Sequence, residues 1–493
     1  MKNSLSFFTY GLMLCLFALA TACSPVNSYT YESIKDEYAH SLAKQQATAS
    51  DQKANTSSQA SSLSRQPLTL KKAIKQAIQA NPKREMALAR IRRARAATSE
   101  AKSAFWPRLS AYSQYTQGDA PSAYLFKTID QRQLPPNTNF NDPGWFENFE
   151  SGIKANLNLF KGGRDALRLD MAQKDLHIST LSKQEVDNQL QATVIKAYYS
   201  ALAAKDSMHI AQKSVDTVRK ELEMTRVRYE AGGVLKSDLL SMQVRLAQSK
   251  EDLVRAKNNY QRSLATLANV LGLDADKDFK LSQPEALELN LPSNYRQRLG
   301  YALAHRAELE KIRQKLIKTR LQLDMVRSEY LPRLDLQGKY YHDDPDLDYS
   351  SSRENWTLGL MLNWEFFSGL STQAKEEQAQ ASIQEMLAAD RKTVQAIQLD
   401  VKTSSLRLEE ARARRRVTQA SVRQAEESLK LVRLQYKGGS STITRYLNAE
   451  LALTQARMAA SRAYYDQRKA RSDLARALGY WSTHLNSQNQ HLN

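Results

Sequence analysis

Ser103-Ala104-Phe105-Trp106-Pro107-Arg108-Leu109 recurs as Ser328-Glu329-Tyr330-Leu331-Pro332-Arg333-Leu334, an offset of 225 positions. Three later matches share another offset, 207. Phe160-Lys161-Gly162 returns as Phe367-Ser368-Gly369, Arg228-Tyr229-Glu230-Ala231-Gly232 as Gln435-Tyr436-Lys437-Gly438-Gly439, and Leu271-Gly272 as Leu478-Gly479. The chain is therefore a duplication, the first thing to establish before a fold is assigned. The offsets differ by 18, which places one insertion between the Pro-Arg-Leu and Phe-x-Gly segments of the first copy. Pro121, Pro135, Pro136 and Pro143 fall there, so the extra residues are expected as loop.

Each copy reads alike. A lead-in helix runs from Leu68 to about Phe105, or from about Tyr295 to Tyr330, and Pro107 or Pro332 stops it by breaking the hydrogen-bond ladder. Two strands follow, then a very long helix, a glycine turn, and a second helix back to Leu271 or Leu478. Arg164 to Glu230 holds neither Gly nor Pro, and at 1.5 Å per residue it would span ~100 Å. No soluble core needs such a rod. The returning helix carries Leu239, Leu246, Leu253, Tyr260 and Leu267 every seven residues, with Tyr446, Leu453 and Ala460 on the aligned row of the second copy. That spacing predicts a left-handed coiled-coil seam.

The strands alternate. Ile153, Ala155, Leu157 and Leu159 alternate with Lys154, Asn156 and Asn158; Trp356, Leu358, Leu360, Leu362, Trp364 and Phe366 alternate with Thr357, Gly359, Met361, Asn363 and Glu365. Leu109, Ala111 and Tyr115, aligned with Leu334, Leu336 and Tyr340, continue the pattern on the outward strands. One apolar and one polar face at period two is the signature of a transmembrane β-barrel wall, with Trp356 and Trp364 as an interfacial girdle. A soluble sandwich is the alternative. Four strands cannot close a barrel, and open edges are not tolerated in lipid. Copies must then combine: a dimer gives eight strands with a filled interior, a trimer twelve with room for a lumen.

The first residues form an address. After Lys2, an apolar run from Leu5 to Ala20 ends in Ala20-Thr21-Ala22-Cys23, a small-x-small cleavage pattern before a cysteine. An uncleaved membrane helix is the competing reading. Residues 1–22 are expected as signal peptide, and 23–66, rich in Ser, Ala, Gln, Asn and Thr, as a flexible leader. Residues 67–273 form the first repeat, 274–292 a linker, 293–480 the second repeat, and 481–493 a tail.

Composition excludes several function classes. The two cysteines, Cys15 and Cys23, rule out a disulfide framework, and the seven histidines show no metal-ligand spacing. No phosphate-cradling loop, nucleophile elbow or HExxH motif occurs, so neither an enzyme nor a bound cofactor or metal is expected. The chain has 71 Lys plus Arg against 52 Asp plus Glu, a net charge of +19. Runs such as Arg92-Arg93-Ala94-Arg95 and Arg412-Ala413-Arg414-Arg415-Arg416 lie on predicted helices of a secreted chain, and read as solvated or lumen-facing surface rather than a nucleic-acid site.

In order, duplication and spacing, residues 67 to 480 resemble the TolC-like outer-membrane efflux protein family. The features are Leu68-Thr69-Leu70 with Asn81-Pro82, the Pro-Arg-Leu strand starts, the Phe-x-Gly exits and the Tyr-x-x-Gly turns. The resemblance implies a mainly α fold with a small transmembrane β part. In it a homotrimer makes a twelve-stranded barrel in the outer-membrane lipid, continued by an α-helical coiled-coil barrel through the periplasm. It implies an exit duct meeting a periplasmic adaptor and an inner-membrane pump; the outer component of a type I protein secretion system and a non-conducting periplasmic spacer are the alternatives. It also implies adaptor-docking tips at Ala231, Gly232, Gly233 and Val234 and at Gly438, Gly439 and Ser440, and an aperture at Asp238, Arg445 and Asn448. Arg445 stands where the family often has an acid, so pairing between Arg445 and Asp238 is expected in a closed tip. Leu19 to Cys23 resembles the bacterial lipobox, which implies acylation of Cys23, and Ser24 resembles an outer-membrane sorting signal.

Overall fold

The structure, a computed structural model, describes residues 34–35, 67–277, 279–283, 289–346 and 351–481. Residues 1–22, expected as signal peptide, Cys23 and nearly all of the expected leader and tail lie outside the described residues.

In chain order the elements are α1 (Leu70–Ala80), α2 (Pro82–Lys102), β1 (Arg108–Gly118), α3 (Pro121–Asp130), β2 (Phe146–Lys161), α4 (Arg164–Glu230) and α5 (Lys236–Leu271). The second repeat supplies α6 (Tyr295–His305), α7 (Ala307–Arg327), β3 (Arg333–Asp344), β4 (Glu354–Asn363), α8 (Ser371–Lys437) and α9 (Ile443–Ala477). Helices α4 and α8 have 67 residues each, ~100 Å of continuous helix.

Each lead-in is two helices rather than the one expected from sequence. Asn81 ends α1 and caps α2, its Oδ1 accepting from the Lys83 amide at 2.9 Å. Pro82 occupies the first position of α2, where a missing N–H costs nothing, and it forces Asn81 into extended backbone. In the second repeat the break falls at Arg306 with no proline to announce it. The two offsets then meet in one contact. Asn81 Nδ2 donates to the Val270 carbonyl at 2.8 Å, and Arg306 Nη1, 225 residues on, donates to the Ala477 carbonyl, 207 residues on, at 3.4 Å.

The strands form one antiparallel sheet in the order β1-β2-β3-β4. Register puts Leu109, Ile153, Leu336, Tyr340, Trp356, Leu358, Leu360 and Leu362 on one face, and Tyr112, Glu150, Lys154, Asn156, Asp335 and Lys339 on the other. Within the chain the apolar face is bare: Leu109 is 71% exposed, Trp356 73% and Leu360 63%. A bulge between Asn158 and Phe160 shifts the alternation beyond Leu157. Strand β4 ends at Asn363, so Trp364 and Phe366, expected as strand residues, lie past it. There the indole of Trp364 donates to the Tyr330 carbonyl at 3.0 Å. The inserted segment of the first repeat is likewise more than loop, since Pro121 opens the ten-residue helix α3.

Along the rods, α5 folds back on α4 and α9 on α8. Leu253 and Leu267 of the seven-residue row are buried, and Met242 and Ser249 form the second row of the seam. Where Leu68 pairs with Leu281, Tyr198 is fully buried and donates to both the Leu68 and Ser282 carbonyls, at 2.8 and 2.6 Å. Burial pushes this phenol up to about 12, so it remains a donor.

Candidate functional site

The two helical turns are the same device made twice. Gly232 has φ +74° and Gly439 φ +77°, a conformation glycine adopts without strain. The Gly232 amide donates to the Tyr229 carbonyl and the Gly233 amide to the Arg228 carbonyl, while Gly439 donates to Tyr436 and Ser440 to Gln435. This paired closure satisfies carbonyls that the helix end leaves over. It leaves Ala231, Gly232, Gly233, Gly438, Gly439 and Ser440 exposed and Val234 half-buried.

The chain joins its own two tips. Arg228 Nη2 donates to the Lys437 carbonyl at 2.9 Å, and its guanidinium lies 5.7 Å from the Tyr436 ring centre. Tyr436 stacks on Tyr446 at 5.5 Å, and Met242, Val432 and Ile443 complete a small apolar core. Both sets of sequence-predicted docking residues thus belong to one end of the helices.

Asp238 and Arg445 occupy the same place in the repeat, three residues past the capping residues Leu235 and Thr442. There the physics diverges. A carboxylate in the first turn complements the positive end of the helix dipole, while a guanidinium opposes it by ~0.3–1 kcal/mol. Arg445 and Asn448 are exposed, Asp238 half-buried. No Asp238–Arg445 ion pair forms within the chain among the described residues.

A buried polar belt above the tip escaped the sequence reading. Arg245 on α5 and Glu450 on α9 pair at 2.7 Å and are nearly inaccessible, with Ser214 of α4 donating to the same carboxylate at 2.8 Å. Glu450 lies seven residues after Ile443, so it stands in a seam row where an apolar residue is the rule; that misfit was the available signal. Outside the seam, Arg433 pairs with Glu221. Among the described residues no group of His, Cys, Asp and Glu could hold a metal ion, and no helix is long and apolar enough to cross a membrane.

At the opposite end, the polar face of the sheet carries a second network. Lys127 of α3 reaches Glu150 and Asp343 at 2.9 Å each. Asn148 donates to Asp343 at 2.6 Å, and Gln131 donates to Asn148 at 2.9 Å.

The family model of outer membrane efflux proteins matches residues 73–273 and 299–480, one match per repeat. The chain belongs to the outer membrane efflux protein family. Among similar proteins, the pyoverdine export outer membrane protein OpmQ of Pseudomonas putida is 24% identical over 332 residues, 67% of this chain and 70% of that protein. The alkaline protease secretion protein AprF of Pseudomonas aeruginosa is 24% identical over 351 residues, 68% of this chain and 71% of it. The crystal structure of the Campylobacter jejuni CmeC outer membrane channel superposes with a TM-score of 0.73 at 15% identity, over 83% of this chain and 85% of that one. As an outer membrane efflux protein the chain is an outer-membrane channel component reaching into the periplasm, not an enzyme.

Proposed function

We propose that three copies of this chain close their sheets head to tail into a twelve-stranded barrel in the outer membrane. The α4, α5, α8 and α9 helices continue it as a tunnel through the periplasm. The assembly serves as exit duct of a tripartite efflux pump. The observation that carries this reading is an interrupted repeat. Inside the chain, β2 of the first copy pairs with β3 of the second, yet β4 and β1 end the sheet with no neighbour among the described residues. An open edge is untenable in lipid and disappears if β4 of one copy pairs with β1 of the next, while the bare apolar face becomes the outer surface that lipid covers. The turns at Gly232 and Gly439 then sit at the periplasmic tip as docking points for an adaptor. Asp238, Arg445 and Asn448 ring the aperture, and an acylated Cys23 anchors the leader.

Purified mature protein in detergent is expected to have the mass of a trimer and to pass discrete currents in planar bilayers. A monomer, or a trimer that passes none, ends this reading in favour of a non-conducting spacer. Similarity to AprF, named for protease secretion, supports a second reading, the outer component of a type I secretion system. Crosslinking in cells separates the two by which inner-membrane protein is recovered. The mass of the mature N-terminus tests the lipid.

A further inference from the structure

The insertion that distinguishes the first repeat is the one segment that the duplication does not require. It leaves β1 at Gly118, forms α3, and lies over the polar face of the sheet at the end remote from the long helices. Lys127, Gln131 and Arg132 hold it there. Lys127 bridges Glu150 of β2 and Asp343 of β3 at 2.9 Å; Gln131, almost fully buried, donates to Asn148 and to the Glu147 carbonyl at 2.9 and 2.7 Å; Arg132 donates to Asn355 of β4 at 3.2 Å. Arg132 also ends the helix at φ +59°, a left-handed conformation that strains a non-glycine residue. The helix therefore stops there at a cost, and its end is tied to the sheet.

Lys127 and Gln131 are four apart and share one helix face. The opposite face presents Phe126, 65% exposed, and Ile129, 42% exposed. A helix fixed to the polar wall by ion pairs while showing aromatic and branched side chains away from it lacks a partner among the described residues. Barrel geometry supplies one. Twelve strands ~4.8 Å apart and tilted by about 40° make a ring ~24 Å across between backbones, and three mutually touching helices of ~10 Å diameter already take up ~22 Å, which leaves no open bore between them. Three copies of α3 on the inner wall would meet at the axis.

Resting on the trimeric barrel proposed above, we infer that the α3 helices of three copies form an apolar constriction at the outlet, with Phe126 and Ile129 of each copy packed against those of the others. The outlet opens when the Lys127 ion pairs release α3 from the wall. An apolar constriction restricts ions by dewetting, so the barrel would be narrowed at its outer end independently of the periplasmic tip, and the wild-type trimer would pass a small current rather than none.

The test compares single-channel currents of the wild-type trimer with those of Phe126→Ser/Ile129→Ser and of a variant in which residues 121–132 are replaced by a short Gly-Ser linker. Both variants are expected to raise conductance roughly tenfold, from leakage past a closed contact to an open bore. In a Cys23→Ser background, Ile129→Cys is expected to crosslink copies under mild oxidation. Equal conductance in all three proteins overturns the constriction and leaves the channel standing. Absence of current even after α3 is removed overturns the channel, and the constriction with it. If Ile129→Cys reacts with a lipid-soluble thiol reagent and yields no crosslinked copies, α3 faces the bilayer and the constriction is refuted.

Discussion

Arg445 stands where a cation disfavours the start of a helix. Thr442 caps α9 and accepts from the Arg445 amide at 3.4 Å, so Thr442-Ile443-Thr444-Arg445 is a capping box with a cation where glutamate would close it. Arg445→Glu is expected to complete the box and to raise stability by up to ~1 kcal/mol, seen as a higher unfolding temperature. The same change should shift the tunnel's ion preference toward cations, read as a changed reversal potential in asymmetric salt. A more stable protein with an unchanged reversal potential would remove Arg445 from the aperture. A second residue with a measurable role is Asp400. Burial alone would raise its carboxyl, but Arg476 and Arg306, each within 2.8 Å, outweigh that and hold its pKa below the ordinary value. The unfolded chain titrates near ~3.9, so the ionised group stabilises the fold at every pH above that value. Its contribution drains away as pH falls from about 4 through the lower folded pKa. The unfolding temperature should therefore drop on acidification in this range. Asp400→Asn should start lower at neutral pH and show a shallower drop.

At the scale of elements, the turns separate glycines that only end a helix from those that also admit a neighbour. Gly232 has φ +74° with nothing within 4 Å of an added methyl, whereas at Gly272, φ +71°, that methyl would run into the Ala80 carbonyl where α1 and α5 meet. Gly232→Ala should cost only the left-handed penalty, ~1–2 kcal/mol. Gly272→Ala should cost clearly more and loosen the α1–α5 contact, which protease cleavage near Asn81 would report. Much of this architecture was legible in the sequence because it is written twice. Pro107 and Pro332 mark the helix-to-strand change, and absent punctuation between Arg164 and Glu230 marks the rod. The break at Arg306 was not legible, because it rests on long-range bonds to Asp400 and Ala477 rather than on a local breaker. Helix α3 was hidden for the opposite reason: its four surrounding prolines read as loop, although one of them, Pro121, starts a helix. Of the candidate site, the turns were legible because glycine marks them. Polar residues paired across the fold, as with Lys127, Glu150 and Asp343, were not legible.

For the whole molecule, the repeat states what the chain boundary must look like. Inside the chain the first repeat's exit presses on the second repeat's lead-in. A methyl on Gly162 would lie 2.6 Å from the Ser328 carbonyl oxygen, and Arg164 donates to the Ser328 hydroxyl at 2.9 Å. The counterpart of Gly162 is Gly369, and that of Ser328 is Ser103, but Gly369 has nothing within 4 Å of an added methyl. If copies close as the repeat directs, Ser103 of the next copy fills that place. Gly163 is the matched control. It also has positive φ and open space, and its counterpart Leu370 already carries a side chain at φ +67°. Gly163→Ala and Gly369→Ala should therefore share a strain of ~1–2 kcal/mol within one chain. They should part at assembly: Gly163→Ala forms trimers in detergent at close to the wild-type yield, while Gly369→Ala accumulates as folded monomer, because its methyl meets a neighbour's backbone that cannot yield in a close-packed interface. Equal trimer yields from the two variants would mean that the copies do not meet by continuing the internal repeat.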